Sequence, residues 1–86
     1  MSKEYKVILY GRKTCPYCVK ANNILKLIKK EKANISIRYL DIEKSRNQKI
    51  LENDSRVPAN YITVPKIIIN DKFIGGFDKL TKYKFK

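Results

Sequence analysis

The chain has 86 residues, which is room for one compact domain with a modest hydrophobic core. It carries 20 Lys and Arg against 8 Asp and Glu, giving a formal net charge of +12 at pH 7, and it contains two cysteines and no histidine. A closed zinc site needs four nitrogen or sulfur ligands, so a single copy of this chain cannot build one. We therefore expect a single domain over residues 1–86 and no bound metal.

The positive charge is spread along the whole chain, through Lys3, Lys6, Lys20, Lys26, Lys29, Lys30, Lys49 and Lys72. A nucleic-acid-binding surface would gather such residues in one stripe beside stacking aromatic rings. We therefore interpret the charge as a solvated surface and expect no specific nucleic acid as partner. A positive surface would still raise encounter rates with an anionic substrate.

The first four residues lead directly into an apolar run, without a hydrophobic signal segment, an Arg-rich transit peptide or a stretch that could span a bilayer. This predicts a cytoplasmic protein that does not engage membranes. In a reducing cytosol a solitary cysteine pair is more often catalytic than structural.

The amino-terminal third predicts a buried strand followed by an amphipathic helix. Residues 5–10 are β-prone and nearly continuously apolar after Lys6, and the run ends at Gly11. The motif Cys15-Pro16-Tyr17-Cys18 follows at the carboxyl end of this strand. Apolar residues then recur at three- and four-residue steps as far as Ile28, which predicts a helix over residues 16–32 with its proline in the first turn.

The middle of the chain predicts a second strand and a weaker helix. Apolar residues at positions 35, 37 and 39 alternate with polar ones, in a strand that ends at Asp41. Because a helix separates the two strands, we expect them to be parallel and joined by a right-handed crossover. Residues 43–53 predict a second helix, and residues 54–61 predict a loop.

The carboxyl-terminal part predicts a hairpin and a short helix. The strands of residues 66–69 and 72–74 are joined by Asn70-Asp71, residue types that tolerate the positive φ angles of a two-residue turn. Gly75-Gly76 ends the second strand, and Asp78 can cap a last helix. The order β-α-β-α-β-β-α, with the cysteine motif at the first strand-to-helix junction, describes an α/β protein with a thioredoxin-like fold.

The position of the cysteine pair favours redox chemistry. Only a thiolate attacks a disulfide, and Cys15 lies where the N–H groups and the dipole of a helix start favour an anion. Lys13 adds a positive charge nearby, whereas Cys18 lies one turn into the helix and should be more buried. The alternative is a structural disulfide, but closing so short a loop would stabilise the fold by only about 2 kcal/mol.

The chain resembles glutaredoxins along essentially its whole length, through Lys13-Thr14-Cys15-Pro16-Tyr17-Cys18, then Thr63-Val64-Pro65, then Gly75-Gly76-Phe77-Asp78. The resemblance implies a four-stranded mixed sheet of order 2-1-3-4 flanked by three helices. It implies a monomeric glutathione-dependent thiol-disulfide oxidoreductase, with glutathione as reductant and with glutathionylated or disulfide-containing proteins as partners. Cys15 and Cys18 would be the catalytic residues.

The resemblance also implies a glutathione site made of Lys13, Tyr17, Thr63, Val64, Pro65, Gly76, Phe77 and Asp78. A cis bond before Pro65 would let the Val64 backbone pair with glutathione like a strand. The N–H groups of Phe77 and Asp78 would bind the γ-glutamyl carboxylate, and the Asp78 carboxylate would pair with the ammonium. On local sequence alone, a trans proline opening a strand and a simple helix-capping aspartate fit equally well.

Two positions depart from the family pattern. Lys79 stands where many members have an acidic residue, and Ile62 stands where many have a basic one. The cation that binds the glycine carboxylate of glutathione is therefore open, with Lys13 as first choice and Lys49 or Arg56 as helpers.

Three other functions stay open at this point. A dithiol electron donor for one partner, such as a ribonucleotide reductase, recycled by a thioredoxin-type reductase, would share the same motifs. An iron–sulfur scaffold would form a glutathione-bridged dimer, and Pro16 argues against it. A basic nucleic-acid module would bind with a steep salt dependence, although the sequence contains no recognisable reader.

Overall fold

The computed structural model describes residues 4–32 and 34–85, so Lys3 and the ends of the predicted domain of residues 1–86 lie outside the described residues. The strands are β1 (Tyr5–Gly11), β2 (Ile35–Asp41), β3 (Lys66–Ile69) and β4 (Lys72–Gly75). The helices are α1 (Pro16–Glu31), α2 (Ser45–Glu52) and α3 (Phe77–Lys82).

The strands form one mixed sheet of order β2-β1-β3-β4. β1 pairs parallel with β2 and antiparallel with β3, and β3 pairs antiparallel with β4. This confirms the predicted α/β thioredoxin-like fold and the predicted strand order. The cysteine motif follows the carboxyl end of β1, which is a central strand of the sheet. The motif therefore lies at the junction between β1 and α1.

The two faces of the sheet carry separate apolar clusters. Alternate side chains of β1 and β3 point to opposite faces, as the period of a strand requires. One face packs under α1 and α3, with Val7, Leu9, Ala21, Leu25, Ile35, Ile67, Ile69 and Leu80 buried. The other face packs under α2, with Tyr10, Leu40 and Ile68 buried. α2 contributes no fully buried residue, which agrees with the weak apolar side that its sequence predicts.

Helix α1 is the long amphipathic helix that the sequence predicts. Cys18, Ala21 and Leu25 are its buried residues, and Lys29 and Lys30 lie in its last turn, where cations favour the helix dipole. Neither α1 nor any other helix in the described part of the chain combines the length and apolar character that crossing a bilayer demands.

Helix α2 is shorter than predicted, because a turn occupies the residues between it and β2. The Asp41 carboxylate accepts the N–H of Glu43 at 3.0 Å, and the Asp41 carbonyl accepts the N–H of Lys44 at 3.1 Å. These bonds hold the chain in a turn, so the helix begins at Ser45.

The hairpin forms as predicted, with Asn70 and Asp71 at φ angles of 51° and 67°. The last helix differs from the prediction at its start. Gly76 is the residue that precedes α3, and no side chain caps the helix. Asp78 therefore lies inside the first turn, where its charge favours the helix dipole, and does not cap the helix.

A polar network joins the loop after α2 to the sheet. The buried Tyr10 hydroxyl donates to Asp54 at 2.6 Å, and Arg56 donates twice to the same carboxylate, at 2.8 Å each. Arg56 also donates to Asp71 in the hairpin turn at 2.9 Å. Hydrogen bonds from Arg56 lower the pKa of Asp54 from 3.8 to about 2, and burial raises the pKa of Tyr10 to about 12.

The Asp54→Asn variant is expected to lose stability at neutral pH but not in acid. A depressed pKa stabilises the fold above the ordinary pKa of 3.8, and this contribution is lost as the pH falls through about 2. The free energy of unfolding should fall by about 2 kcal/mol at pH 7, with the difference closing toward pH 2. Urea unfolding between pH 7 and pH 2 measures it.

Asp71→Asn is the matched control. The Asp71 side chain is 89% exposed, against 4% for Asp54, so its ion pair with Arg56 should contribute little. Curves for Asp54→Asn and the parent that stay parallel across this pH range would contradict the assignment.

Candidate active site

Cys15 occupies the residue that precedes α1. Its backbone is extended, and its carbonyl accepts the first helical bond, from the Val19 N–H at 3.1 Å. The Cys15 N–H donates to the Arg12 carbonyl at 3.1 Å, which closes a turn between β1 and α1. No acidic residue lies in the first turn and no side chain caps the helix, so the helix start faces the Cys15 sulfur without a competing anion.

The environment of Cys15 favours its thiolate. Burial alone would raise the pKa of this half-buried thiol, but hydrogen bonds from the Cys18 thiol and from the N–H groups of Cys18 and Tyr17 outweigh it. The charge of Arg12 acts in the same direction, and the pKa of Cys15 is lowered. The physical effect that the sequence predicts is therefore present.

Arg12 is a cation whose charge helps to lower the pKa of Cys15, and its role is not evident from the sequence. Lys13 is exposed in the turn between β1 and α1, and its role stays a prediction. The sequence shows two basic residues, Arg12 and Lys13, just before the cysteine motif, but how strongly each acts on the sulfur depends on the conformation of the turn. Only the folded backbone decides it.

The environment of Cys18 favours the neutral thiol, whereas that of Cys15 favours the thiolate. Cys18 is fully buried, and burial raises the pKa of its thiol to about 11. A Cβ atom on Gly11 would lie 3.0 Å from the Cys18 sulfur, so the helix packs here against a strand end that has no side chain. Both thiols are free, with Cys18 placed to donate to the Cys15 sulfur.

A cavity of about 440 Å³ lies beside Cys15, lined by Tyr17, Tyr61, Thr63, Val64, Pro65, Gly76, Phe77, Asp78 and Lys79. Seven of the eight residues predicted to bind glutathione are in this set, and the exposed Lys13 is outside it. The three sequence motifs are therefore brought together around one cavity. The contacts of these residues with glutathione stay a prediction.

Val64 connects this cavity to the sulfur. The Val64 carbonyl lies 3.8 Å from the Cys15 sulfur, close enough to accept a hydrogen bond from the thiol. The Val64-Pro65 peptide bond is cis, as the resemblance implies. A ligand bonded to the Cys15 sulfur would therefore lie against the backbone of the loop that precedes β3.

Another part of the cavity wall is formed by Gly76 and the first residues of α3. Gly75 has a φ of 118°, which favours glycine, and it turns the chain from β4 into the helix. A Cβ on Gly76 would lie 2.7 Å from the Tyr61 hydroxyl. Gly76 therefore lets the aromatic ring approach the start of α3.

Tyr17 covers one end of the cavity. The residue is 55% exposed, and its ring centroid lies 5.6 Å from that of Phe77 and 5.5 Å from the Lys20 ammonium. Tyr17 thus connects the cysteine motif to α3, and its role beside the sulfur stays a prediction.

The structure separates two proposed helpers from the cavity. Lys49 and Arg56 line a different groove on the α2 side of the sheet, together with Tyr10 and Asp54. The guanidinium of Arg56 is already paired with Asp54 and Asp71. The expectation that these residues assist at the Cys15 cavity is therefore wrong.

Sequence reasoning also missed two lining residues, Tyr61 and Lys79. Lys79 was noted only as a departure from the family pattern. Tyr61 precedes the Thr63-Val64-Pro65 motif in a loop without regular structure, so no periodicity in the sequence indicates which way its ring points.

The comparisons with known proteins agree with this geometry. The family model described as Glutaredoxin matches residues 7–74. The chain belongs to the glutaredoxin family. A glutaredoxin of Haemophilus influenzae is 39% identical over 83 residues, covering 92% of this chain and 93% of the relative. Glutaredoxin 1 of Salmonella typhimurium is 37% identical, covering 80% and 78%.

Solved glutaredoxin structures are similar in fold. Reduced Escherichia coli glutaredoxin superposes with a TM-score of 0.71 at 27% identity, covering 90% of this chain and 89% of that one. Glutaredoxin 1 from Francisella tularensis, complexed with cacodylate, gives a TM-score of 0.65 at 32% identity, covering 91% and 90%.

Membership of the glutaredoxin family makes this chain a thiol-disulfide oxidoreductase, and glutaredoxins use glutathione as reductant. The pKa of the partly buried Cys15 is lowered and that of the buried Cys18 is raised, a contrast that suits such chemistry. Among residues 4–32 and 34–85, no cluster of three or more His, Cys, Asp or Glu side chains could hold a metal ion.

Proposed function

We propose that this chain is a glutathione-dependent oxidoreductase that reduces protein–glutathione mixed disulfides. The observation that carries the proposal is the position of Val64, which lines the cavity and has its carbonyl 3.8 Å from the Cys15 sulfur. A tripeptide whose sulfur meets Cys15 would extend from that point into the cavity. Its volume of about 440 Å³ lies within the range of roughly 300–1,000 Å³ that suits small ligands.

Backbone groups on two sides of the cavity suit an extended peptide. The Val64 backbone would pair with the cysteine residue of glutathione as a strand would. The N–H groups of Phe77 and Asp78 have no partner within a helix that starts at Phe77, and no side chain caps it, so they suit the γ-glutamyl carboxylate. The exposed Asp78 carboxylate would pair with the ammonium of the same residue.

The glycine carboxylate of glutathione needs a cation at the other end of the peptide. Lys13 remains our first candidate, on the resemblance alone. Arg12 is the second, because its charge reaches the Cys15 sulfur from the turn between β1 and α1.

In the proposed reaction the Cys15 thiolate attacks the glutathione sulfur of a mixed disulfide. The client sulfur leaves as a thiolate and takes a proton from solvent, while Cys15 becomes bonded to glutathione. The thiolate of a second glutathione then attacks that glutathione sulfur, forms oxidised glutathione and releases the Cys15 thiolate. A lowered pKa helps chiefly in this second step, because a more acidic thiol leaves faster.

Protein disulfides would use both cysteines. Cys15 attacks one sulfur of the client disulfide and forms a mixed disulfide with the client. Cys18 then loses its proton and attacks the Cys15 sulfur, which frees the client as a dithiol and leaves a Cys15–Cys18 disulfide. We propose that a monomer carries out both routes, in the cytoplasm, on glutathionylated or disulfide-containing proteins.

The test compares two recycling systems on a glutathionylated peptide. We expect steady turnover with glutathione, glutathione reductase and NADPH, and a rate near the uncatalysed one when glutathione is omitted. Turnover that requires a thioredoxin-type reductase, and is not supported by glutathione, would instead assign the chain as a dithiol donor to a dedicated partner.

A further inference from the structure

Lys66 is a buried lysine at the start of β3, directly after Pro65. The residue is only 6% exposed, which is rare for lysine. Its ammonium donates to the carbonyls of Tyr61 at 2.7 Å and Thr63 at 2.9 Å. The same nitrogen lies 5.2 Å from the centre of the Tyr61 ring.

These contacts compensate a charge that would otherwise be costly to bury. An ammonium has three donors, and a buried one needs acceptors or a π face in place of water. The carbonyls of Tyr61 and Thr63 belong to a loop outside the sheet, so Lys66 ties that loop to the first residue of β3. Burial, together with the nearby charge of Arg12, lowers the pKa of Lys66.

Tyr61 connects the loop held by Lys66 to β4 and to the start of α3. Its ring packs edge-on against Phe73 of β4, with centroids 4.9 Å apart, and its hydroxyl lies at the start of α3 beside Gly76. Tyr61 and Thr63 both line the cavity beside Cys15. A single ammonium therefore holds the part of the cavity wall that contains Thr63 and Val64 and, through the Tyr61 ring, restrains the part at Gly76.

We propose that Lys66 is a positioning residue that sets the affinity of the Cys15 cavity for glutathione. The proposal rests on the proposed function and goes beyond it, because Lys66 does not line the cavity. Val64 lies between the restrained Thr63 and β3. If the loop were released, the Val64 backbone would no longer be held in position to pair with an extended peptide. Binding to a fixed backbone avoids the entropy of ordering it.

The test replaces Lys66 by Met, which keeps an unbranched apolar side chain and removes the ammonium. We expect the KM for a glutathionylated peptide to rise about tenfold while kcat changes less than about threefold. The pH dependence of Cys15 alkylation should not move, because the groups that lower the pKa of Cys15 lie in α1 and at Arg12. Lys72→Met, at an exposed lysine of β4, is the matched control and should behave as the parent.

A conservative variant separates positioning from stability. Lys66→Gln keeps a neutral donor on a shorter side chain, so its KM should lie between those of the parent and Lys66→Met. A folded Lys66→Met with the parent KM overturns the proposal, even if it melts at a lower temperature. Should Lys66→Met not fold, an unchanged KM in Lys66→Gln overturns it.

The same assay distinguishes a failure of the proposed glutathione-dependent activity from a failure of the proposed role of Lys66. If the parent has no glutathione-dependent turnover, the proposed function fails and the role of Lys66 fails with it. If the parent and Lys72→Met turn over while the Lys66 variants keep the parent KM, only the role of Lys66 fails.

Discussion

The Cys15→Ser variant is expected to lose reduction of both glutathionylated peptides and protein disulfides, by roughly a thousandfold or more. The serine hydroxyl is not ionised near neutral pH and cannot form the mixed disulfide on which both proposed routes depend. Coupled oxidation of NADPH, with each substrate in turn, measures the loss. The substitution is small, so the melting temperature should stay close to that of the parent.

Cys18→Ser is the matched control, because it makes the same chemical change one helical turn away. It should keep reduction of glutathionylated peptides within about tenfold of the parent rate, while losing the reduction of protein disulfides that needs an internal attack. Glutathione-dependent activity that survives in Cys15→Ser would reject the proposed role of Cys15.

Alkylation should separate the two thiols by orders of magnitude. Iodoacetamide reacts with thiolates, and the pKa of Cys15 lies below its usual value whereas that of Cys18 lies at about 11. At pH 8 a thiol of that acidity is about two hundredfold less ionised than a free cysteine of pKa about 8.5. Mass spectrometry of the parent across pH should find a single label on Cys15 that appears at lower pH than on free cysteine.

The Cys15→Ser protein provides the control for the second thiol. Cys18 is fully buried in addition to being weakly acidic, so labelling should stay slow until the protein is unfolded in urea. Two sulfurs that react with the pH profile of free cysteine would contradict the electrostatic account of the site.

Much of the fold is predictable from local patterns in the sequence. The alternation in β2, the period of α1 and the Asn70-Asp71 turn each depend on neighbours within a few residues, and all three elements form where predicted. The starts of α2 and α3 differ from the prediction because of local backbone structure. Asp41 holds a turn that delays α2, and a capping glycine places Asp78 inside α3.

The residues of the candidate site that belong to short sequence motifs could be predicted. Those that reach the site only through tertiary contacts could not. Both cysteines and seven cavity residues come from three short motifs whose spacing is characteristic. The roles of Arg12, Tyr61 and Lys66 depend on contacts between a turn, a loop and a strand that no periodicity encodes. The basic residues proposed as helpers failed for the same reason, since the pairing of Arg56 with two carboxylates appears only in the folded chain.

The missing side chain at Gly11 has a consequence for the oxidised protein. Cys18 is fully buried, and its sulfur lies beside Gly11, 3.0 Å from where a Cβ on that residue would lie, whereas Cys15 is only partly buried. A disulfide brings its sulfurs to about 2.05 Å, so we expect the less buried Cys15 to turn toward Cys18 when the pair closes. Oxidation would thereby withdraw the reactive sulfur from the mouth of the cavity and take its hydrogen away from the Val64 carbonyl. The closed form would present clients with a surface lacking both nucleophile and donor until a reductant opens it again.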